Sequence, residues 1–291
     1  MPARSAIIAR MNYRHVYHAG NFADVAKHVA LLCCLDALKR KETAFFVLDT
    51  HAGQGLYDLQ SAEARKSGEA ARGVLELIRS RREEPALAAY FEAIHARASR
   101  LRHYPGSPAL IAAALRRQDR ALFVEISPAE ARALERAIGS AGHIRTTVED
   151  GYSALRAALP PLERRGLVFI DPPYESADEL TRLLEALAAA HRRWSSGVYL
   201  LWYPIRSAAQ RRAVHARFGA LRIPKMLVAD LAVHPDDSDV GLAGSGVIMV
   251  NPPFGTEREL ESAYAAIHAA LAPAGGGYVE IVRLTPERMA Q

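Results

Sequence analysis

The sequence predicts a mostly parallel, doubly wound α/β sheet, and three observations carry that reading. Apolar runs of four to five residues read as buried strands. Amphipathic stretches of crossover length separate them, the strand–helix–strand rhythm of a parallel sheet. The runs end in acids or glycine turns, and ligands of open α/β sheets bind beyond the carboxyl ends of the strands.

The elements follow in order. Residues 1–10 carry no clear pattern. Asn21, three residues before Asp24, caps a helix with Val25, Val29, Leu32, Leu35 and Leu38 on one face, ending in Lys39-Arg40-Lys41. A strand over 45–48 delivers Asp49-Thr50-His51-Ala52-Gly53-Gln54-Gly55. From Gln54 to His103 strand signals vanish. Two amphipathic helices are expected there, the clearer one carrying Leu87, Tyr90, Phe91, Ile94, Ala98 and Leu101. This stretch reads as a small helical insertion, residues 54–103, within a main domain of residues 1–53 and 104–291. Alternation resumes after the turn Tyr104-Pro105-Gly106, with Ser107 as an expected N-cap and Pro108 as first helical residue. A strand over 122–126, a helix opened by Ser127-Pro128 with Glu130, a strand over 144–148 and a helix after Gly151 follow. Next come a strand over 167–170, a helix from Ala177 and a strand over 198–203. The tail adds strands over 226–233, 247–250 and 278–284 and a helix over 257–271.

With 291 residues the chain can bury a large core. Half of it is hydrophobic and 24% is charged, the balance of a soluble globular protein. Lys and Arg outnumber acids 37 to 32, a tilt that weakly favours a polyanionic partner. Cys33 and Cys34 adjoin inside a helical pattern, as reduced core residues and not as a disulfide framework or metal site. No run is long and apolar enough for a membrane helix and no signal peptide opens the chain, so a cytoplasmic address is expected.

Four strand ends carry the candidate chemistry. Gly53-x-Gly55 lets the backbone turn tightly against a ligand, although a lone pair of glycines is also an ordinary turn. It lacks the Lys-Ser/Thr of a phosphate-cradling loop, which counts against an ATPase. Glu125 suits two ribose hydroxyls, and Asp150 an adenine amine or the cap of the next helix. Asp171-Pro172-Pro173-Tyr174 joins an acid, two rigid residues and an aromatic, a set that can hold a flat, amine-bearing ring. Glycine turn, acid, acid and then this tetrapeptide is the layout of an S-adenosylmethionine-dependent amino-methyltransferase, with a Rossmann-like sheet. Asn251-Pro252-Pro253-Phe254 shows a similar pattern but sits in the irregular tail, and is expected to be a structural strand stop. The His- and aromatic-rich lead-in over 13–21 can lie over a base, or simply pack ahead of the helix.

A more specific likeness joins these pieces. Tyr13-Arg14-His15, His18-Ala19-Gly20-Asn21, Ala23-Asp24-Val25 and Lys27-His28 form one continuous motif. With Asp49-Thr50-His51-Ala52-Gly53, Tyr104-Pro105-Gly106-Ser107-Pro108, Asp171-Pro172-Pro173-Tyr174, Leu201-Trp202-Tyr203-Pro204 and Asn251-Pro252-Pro253, the chain resembles the RlmJ family of bacterial 23S ribosomal RNA adenine-N6 methyltransferases. The likeness runs from Tyr13 to about Gly277 and points to Met11 as the start; Phe254 departs from an expected tryptophan. It implies S-adenosylmethionine as cofactor, S-adenosylhomocysteine as product, and no metal. It implies that His28, His51, Gly53, Ser107, Glu125, Asp150, Gly151 and Asp171 line the cofactor and catalytic pocket. Tyr13 is expected to meet the RNA, Tyr174 to stack on the flipped adenine, and Asp171 with the Pro172 carbonyl to orient its amine. The expected partner is 23S rRNA, free or in early assembly, and the expected state a monomer. The rivals are a DNA adenine-N6 methyltransferase, for which roughly fifty inserted residues are few, and a non-catalytic RNA-binding protein.

Overall fold

The computed structural model describes residues 14–80, 84–97, 101–139, 141–236, 238–272 and 276–287. Tyr13 and Ala98 lie outside them. The described strands are β1 (Phe46–Asp49), β2 (Leu56–Asp58), β3 (His103–Pro105), β4 (Arg120–Glu125), β5 (Ile144–Val148), β6 (Gly166–Ile170), β7 (Val198–Ile205), β8 (Met226–Ala232), β9 (Gly244–Val250) and β10 (Tyr278–Arg283). The described α-helices are α1 (Phe22–Lys39), α2 (Ala62–Ser67), α3 (Glu69–Arg72), α4 (Val74–Arg79), α5 (Ala88–Arg97), α6 (Ser107–Ala114), α7 (Pro128–Ile138), α8 (Gly151–Ala158), α9 (Glu179–Arg193), α10 (Ala208–Gly219) and α11 (Thr256–Leu271).

Eight of the strands form one sheet in the order β10-β8-β9-β7-β6-β1-β4-β5. Neighbours from β5 across to β7 run parallel, as the alternation predicts. Beyond β7 the sheet is antiparallel, β9 running against β7 and β8, and β10 against β8. Both faces are covered, so the central strands are apolar on both sides. Phe45 and Val47 meet a core shared with α1, α6 and α11; Phe46 and Leu48 meet one shared with α8, α9 and α10. The chain reverses its direction of travel across the sheet between β1 and β6. The crevice at their carboxyl ends is therefore the switch point where such sheets bind ligands.

Helix α1 begins beside that crevice. Asn21 Oδ1 accepts the Asp24 N–H at 2.8 Å, an N-cap worth about 1 kcal/mol, and Asp24 in the first turn and Lys39 in the last suit the helix dipole. At 1.5 Å per residue, Lys39 lies roughly 18 Å from Lys27 along the axis, toward the amino ends of the strands. The cationic groups there latch backbone: Arg116 donates to the carbonyls of Lys41 and Thr43, and Arg165 to that of Thr43.

Several local expectations are corrected. The stretch between Gly55 and Gly106 contains strands after all, β2 pairing antiparallel with β3, each too short to show an alternating pattern. Four short helices replace the expected two, because Gly68 (φ 64°) and Gly73 interrupt the first run. Among the described residues helix α5 runs to Arg97, and Leu101 stands outside it with φ 52°. Ser107 is not a cap: Gly106 holds that position, and the Ser107 hydroxyl is spent on Asp49. Helix α10 has no counterpart in the sequence reading, since only Val214 and Phe218 of its twelve residues are buried. The Asn251 turn follows β9, which runs against the parallel block. It thus lies at the end of the sheet opposite Asp171, where its Nδ2 donates to the carbonyls of Ser195 (2.8 Å) and Gly197 (2.7 Å).

Candidate active site

The floor of the switch-point crevice is the loop after β1. Gly53 and Gly55 adopt φ of 62° and 76°, values that favour glycine, and turn the backbone back on itself. Glu125, at the end of β4, secures this turn: its carboxylate accepts from the N–H groups of Gly53 and Ser127, both at 2.8 Å. Burial pushes its pKa up despite those bonds. Asp49 is fully buried and accepts from the Ser107 hydroxyl at 2.7 Å and the His51 N–H at 3.2 Å. Burial, with Asp171 and Glu125 nearby, pushes it up to about 7, against those two hydrogen bonds. The loop after β5 leans onto the same floor. A Cβ on Gly151 would lie 2.2 Å from the Thr50 carbonyl oxygen, so only glycine permits this approach. Asp150 beside it caps α8 through the Ser153 N–H (2.9 Å) and accepts from Arg182 (3.1 Å). His51 bonds the Thr50 hydroxyl at 2.8 Å and stands edge-on to Tyr152; burial lowers its pKa to about 4, so it is neutral at physiological pH.

The opposite wall is Asp171-Pro172-Pro173-Tyr174, following β6. Asp171 Oδ2 lies 2.6 Å from Lys27 Nζ. Lys27 is 5% exposed and also meets Asp24 Oδ1 at 2.7 Å, while its ammonium lies 5.3 Å from the centre of the Trp202 ring. Asp24 is itself buried, and accepts from the Gly20 N–H (2.8 Å) and His15 Nε2 (3.0 Å). Burial alone would raise its pKa; His15 and Lys27 hold it well below the usual carboxylate range instead. A buried ammonium is tolerable only when paired, and this one is shared by two carboxylates. Tyr174 adopts φ 51°, the left-handed region that non-glycine residues enter at a cost of about 1–3 kcal/mol. That backbone turns its ring edge-on to Trp202, 5.6 Å between centroids, with its hydroxyl on the Trp202 carbonyl at 2.8 Å.

Most residues singled out in the sequence gather here. His51, Gly53, Ser107, Glu125, Asp150, Gly151 and Asp171 lie near one another at the carboxyl ends of β1, β4, β5 and β6 and the start of α6. His28 sits behind it on α1, stacked on Tyr104 with Nδ1 on the Tyr104 hydroxyl at 2.9 Å; burial lowers it to about 3. Tyr13 lies outside the described residues. Sequence reasoning passed over Lys27, Asp24 and Trp202 as working groups. Their signal was faint: at about 100° per residue Lys27 lies opposite Val25 and Val29, and only the burial of α1 on every side from Ala23 to Leu35 turns Asp24 and Lys27 inward. Cys33 and Cys34 are buried and unbridged, burial pushing Cys33 up to about 12. Among the described residues no three His, Cys, Asp or Glu side chains are grouped to hold a metal.

A doubly wound sheet with a glycine loop at its first strand, acids at the next two ends and this tetrapeptide at the fourth defines a Rossmann-like, S-adenosylmethionine-dependent methyltransferase. The sequence profile described as "Ribosomal RNA large subunit methyltransferase D, RlmJ" matches residues 42–283, and the chain belongs to the RlmJ family. It is 37% identical over 280 residues to "Ribosomal RNA large subunit methyltransferase J" of Haemophilus influenzae, spanning 95% of this chain and 100% of that one. The protein of the same name from Escherichia coli is 36% identical over 279 residues, with the same coverage. The crystal structure of protein LPL1258 from Legionella pneumophila superposes with a TM-score of 0.83 at 32% identity, covering 91% of this chain and 98% of that one.

Proposed function

We propose that the chain methylates the N6 amine of one adenine in 23S ribosomal RNA. When bound, S-adenosylmethionine supplies the methyl group on a sulfonium, itself a good leaving group. Glu125 would receive the two ribose hydroxyls and Asp150 the cofactor's adenine amine. His28, His51, Gly53, Ser107 and Gly151 would shape the remaining walls. A base in folded RNA must leave its stack to enter such a crevice. Tyr174 would then stack on it, and Tyr13 would meet the RNA beside it. The Asp171 carboxylate and the Pro172 carbonyl would accept the two amine hydrogens, turning the nitrogen lone pair toward the methyl. Lys27 would hold Asp171 in place, so alignment of the in-line attack supplies much of the rate. Asp171 would accept the proton that the methylated amine gives up, and S-adenosylhomocysteine would be the other product.

One observation carries this reading: Asp171 at the switch point, fixed 2.6 Å from the buried Lys27 ammonium. Residues 54–103 form an inserted, mainly helical subdomain in this reading, the enzyme acts in the cytoplasm as a monomer, and its substrate is free or early-assembly RNA. Transfer of tritiated methyl groups from S-adenosylmethionine to protein-free 23S rRNA, beside duplex DNA of matched length, tests it. Label is expected on RNA alone, and the adenine unmethylated in a deletion strain should be the one the purified protein restores. Labelled DNA would instead indicate a DNA adenine methyltransferase, and no label on either a binding protein without catalysis.

A further inference from the structure

The segment between β2 and β3 holds the lead-in to α1. Glu69, the first residue of α3, accepts from His18 Nδ1 with one carboxylate oxygen and from Asn21 Nδ2 with the other, each at 2.9 Å. Backbone contacts reinforce the seat. The Val74 N–H donates to the Gly20 carbonyl at 2.8 Å, and a Cβ on Gly73 would fall 2.2 Å from that same oxygen. Asn21 faces two ways. Its amide donates to Glu69 while its carbonyl oxygen accepts from Asp24, whose carboxylate holds Lys27, and Lys27 holds Asp171.

We propose that Glu69 is a positioning residue for methyl transfer, acting through Asn21 and Asp24 to fix Lys27 against Asp171. The insertion on this view completes the catalytic centre from behind. Glu69 touches neither the methyl donor nor the acceptor in this scheme. It sets the rotation of the Asn21 amide and so the first turn of α1, where Asp24 and Lys27 leave the backbone. A carboxylate is suited to the position because it presents an acceptor oxygen to each of two donors on neighbouring residues. The link is short, and every contact in it lies between 2.6 and 2.9 Å. A displacement of about 1 Å at the reacting centre is enough to slow an in-line transfer about a hundredfold. The proposal rests on Asp171 being the group that orients the amine.

Steady-state methylation of protein-free 23S rRNA by the full-length chain tests it, with cofactor affinity and melting temperature measured for each variant. Glu69→Ala should lower kcat about tenfold or more while KM for RNA and cofactor affinity stay within about twofold. Glu69→Gln, which keeps an acceptor for Asn21, should recover most of the rate. Asn21→Ser retains a side-chain oxygen to cap Asp24 but loses the amide that reaches Glu69. It should reproduce the fall in kcat, without further loss when combined with Glu69→Ala. If Glu69→Ala does not fold, Asn21→Ser and Glu69→Gln decide the matter alone. Wild-type kcat in folded Glu69→Ala and Asn21→Ser, or a loss confined to KM for RNA, overturns the proposal. Asp171→Ala in the same assay separates the two readings: if it is active the amine-orienting role fails, whereas if it is inactive beside an unaffected Asn21→Ser only the positioning role fails.

Discussion

Lys27 and Asp49 are two buried ionisable residues whose roles were not evident from the sequence, and both follow from neighbours far away in the chain. Lys27 is an ammonium between Asp24 and Asp171, so Lys27→Met removes the cation that the two carboxylates share. Breaking such a buried pair costs about 3–5 kcal/mol, and chemical denaturation of the variant should show a loss of that order together with lost turnover. Asp49 binds its proton more tightly folded, at about 7, than an ordinary carboxylate does. Its contribution to stability is complete below the usual carboxylate range and is lost as pH rises through 7. Asp49→Asn removes that dependence. Its stability relative to wild type should therefore be about 2.5 kcal/mol more favourable at pH 8 than at pH 5, read from paired denaturation curves. Equal differences at the two pH values would show that Asp49 does not titrate in this window. Asp171 could be singled out from its strand-end place and its Pro-Pro-Tyr sequel; its ion-pair partner could not, because 144 positions separate Lys27 from it.

At the scale of elements, what the sequence revealed tracks burial. Strands β1, β4, β6 and β7 are buried on both sides, and their apolar runs announce them. Helix α10 covers the sheet with two side chains and exposes Arg-rich surface, so its pattern is faint. β2 and β3 are three residues each and exist through pairing with one another, which no local window can register. The third strand-end loop is the opposite case: Gly151 was legible as part of the site, but only contact explains why it must be glycine. Gly151→Ala would drive a methyl into the Thr50 backbone, which must shift the loop carrying His51 and Gly53. Cofactor affinity, measured by calorimetry, should fall about tenfold or more while far-ultraviolet circular dichroism is retained. Wild-type affinity would show that the two loops are not seated as described.

Across the whole molecule, the sheet separates a working end from a fastening end. The parallel strands deliver Asp49, Glu125, Asp150 and Asp171 to one end, while Arg40, Arg116 and Arg165 tie the other. The tilt of 37 basic against 32 acidic residues is therefore a poor guide to where RNA lies, since some of the cations most visible in sequence hold carbonyls of the protein itself. Lys39→Gln with Lys41→Gln should leave KM for 23S rRNA within about twofold, because these residues stand roughly 18 Å from Lys27; a large increase would mean that the RNA wraps to the far end. The similarity of the chain's two Pro-Pro turns resolves at this scale too, Asn251 lying at the fastening end and Asp171 at the working end. The most direct test of the account is methyl transfer to protein-free 23S rRNA by wild type and Asp171→Ala, with the product nucleoside identified by mass spectrometry and cofactor binding measured in parallel. Wild type should yield N6-methyladenosine, and Asp171→Ala should bind cofactor yet yield none; transfer by Asp171→Ala at the wild-type rate, or a methyl group on any other atom, would contradict it.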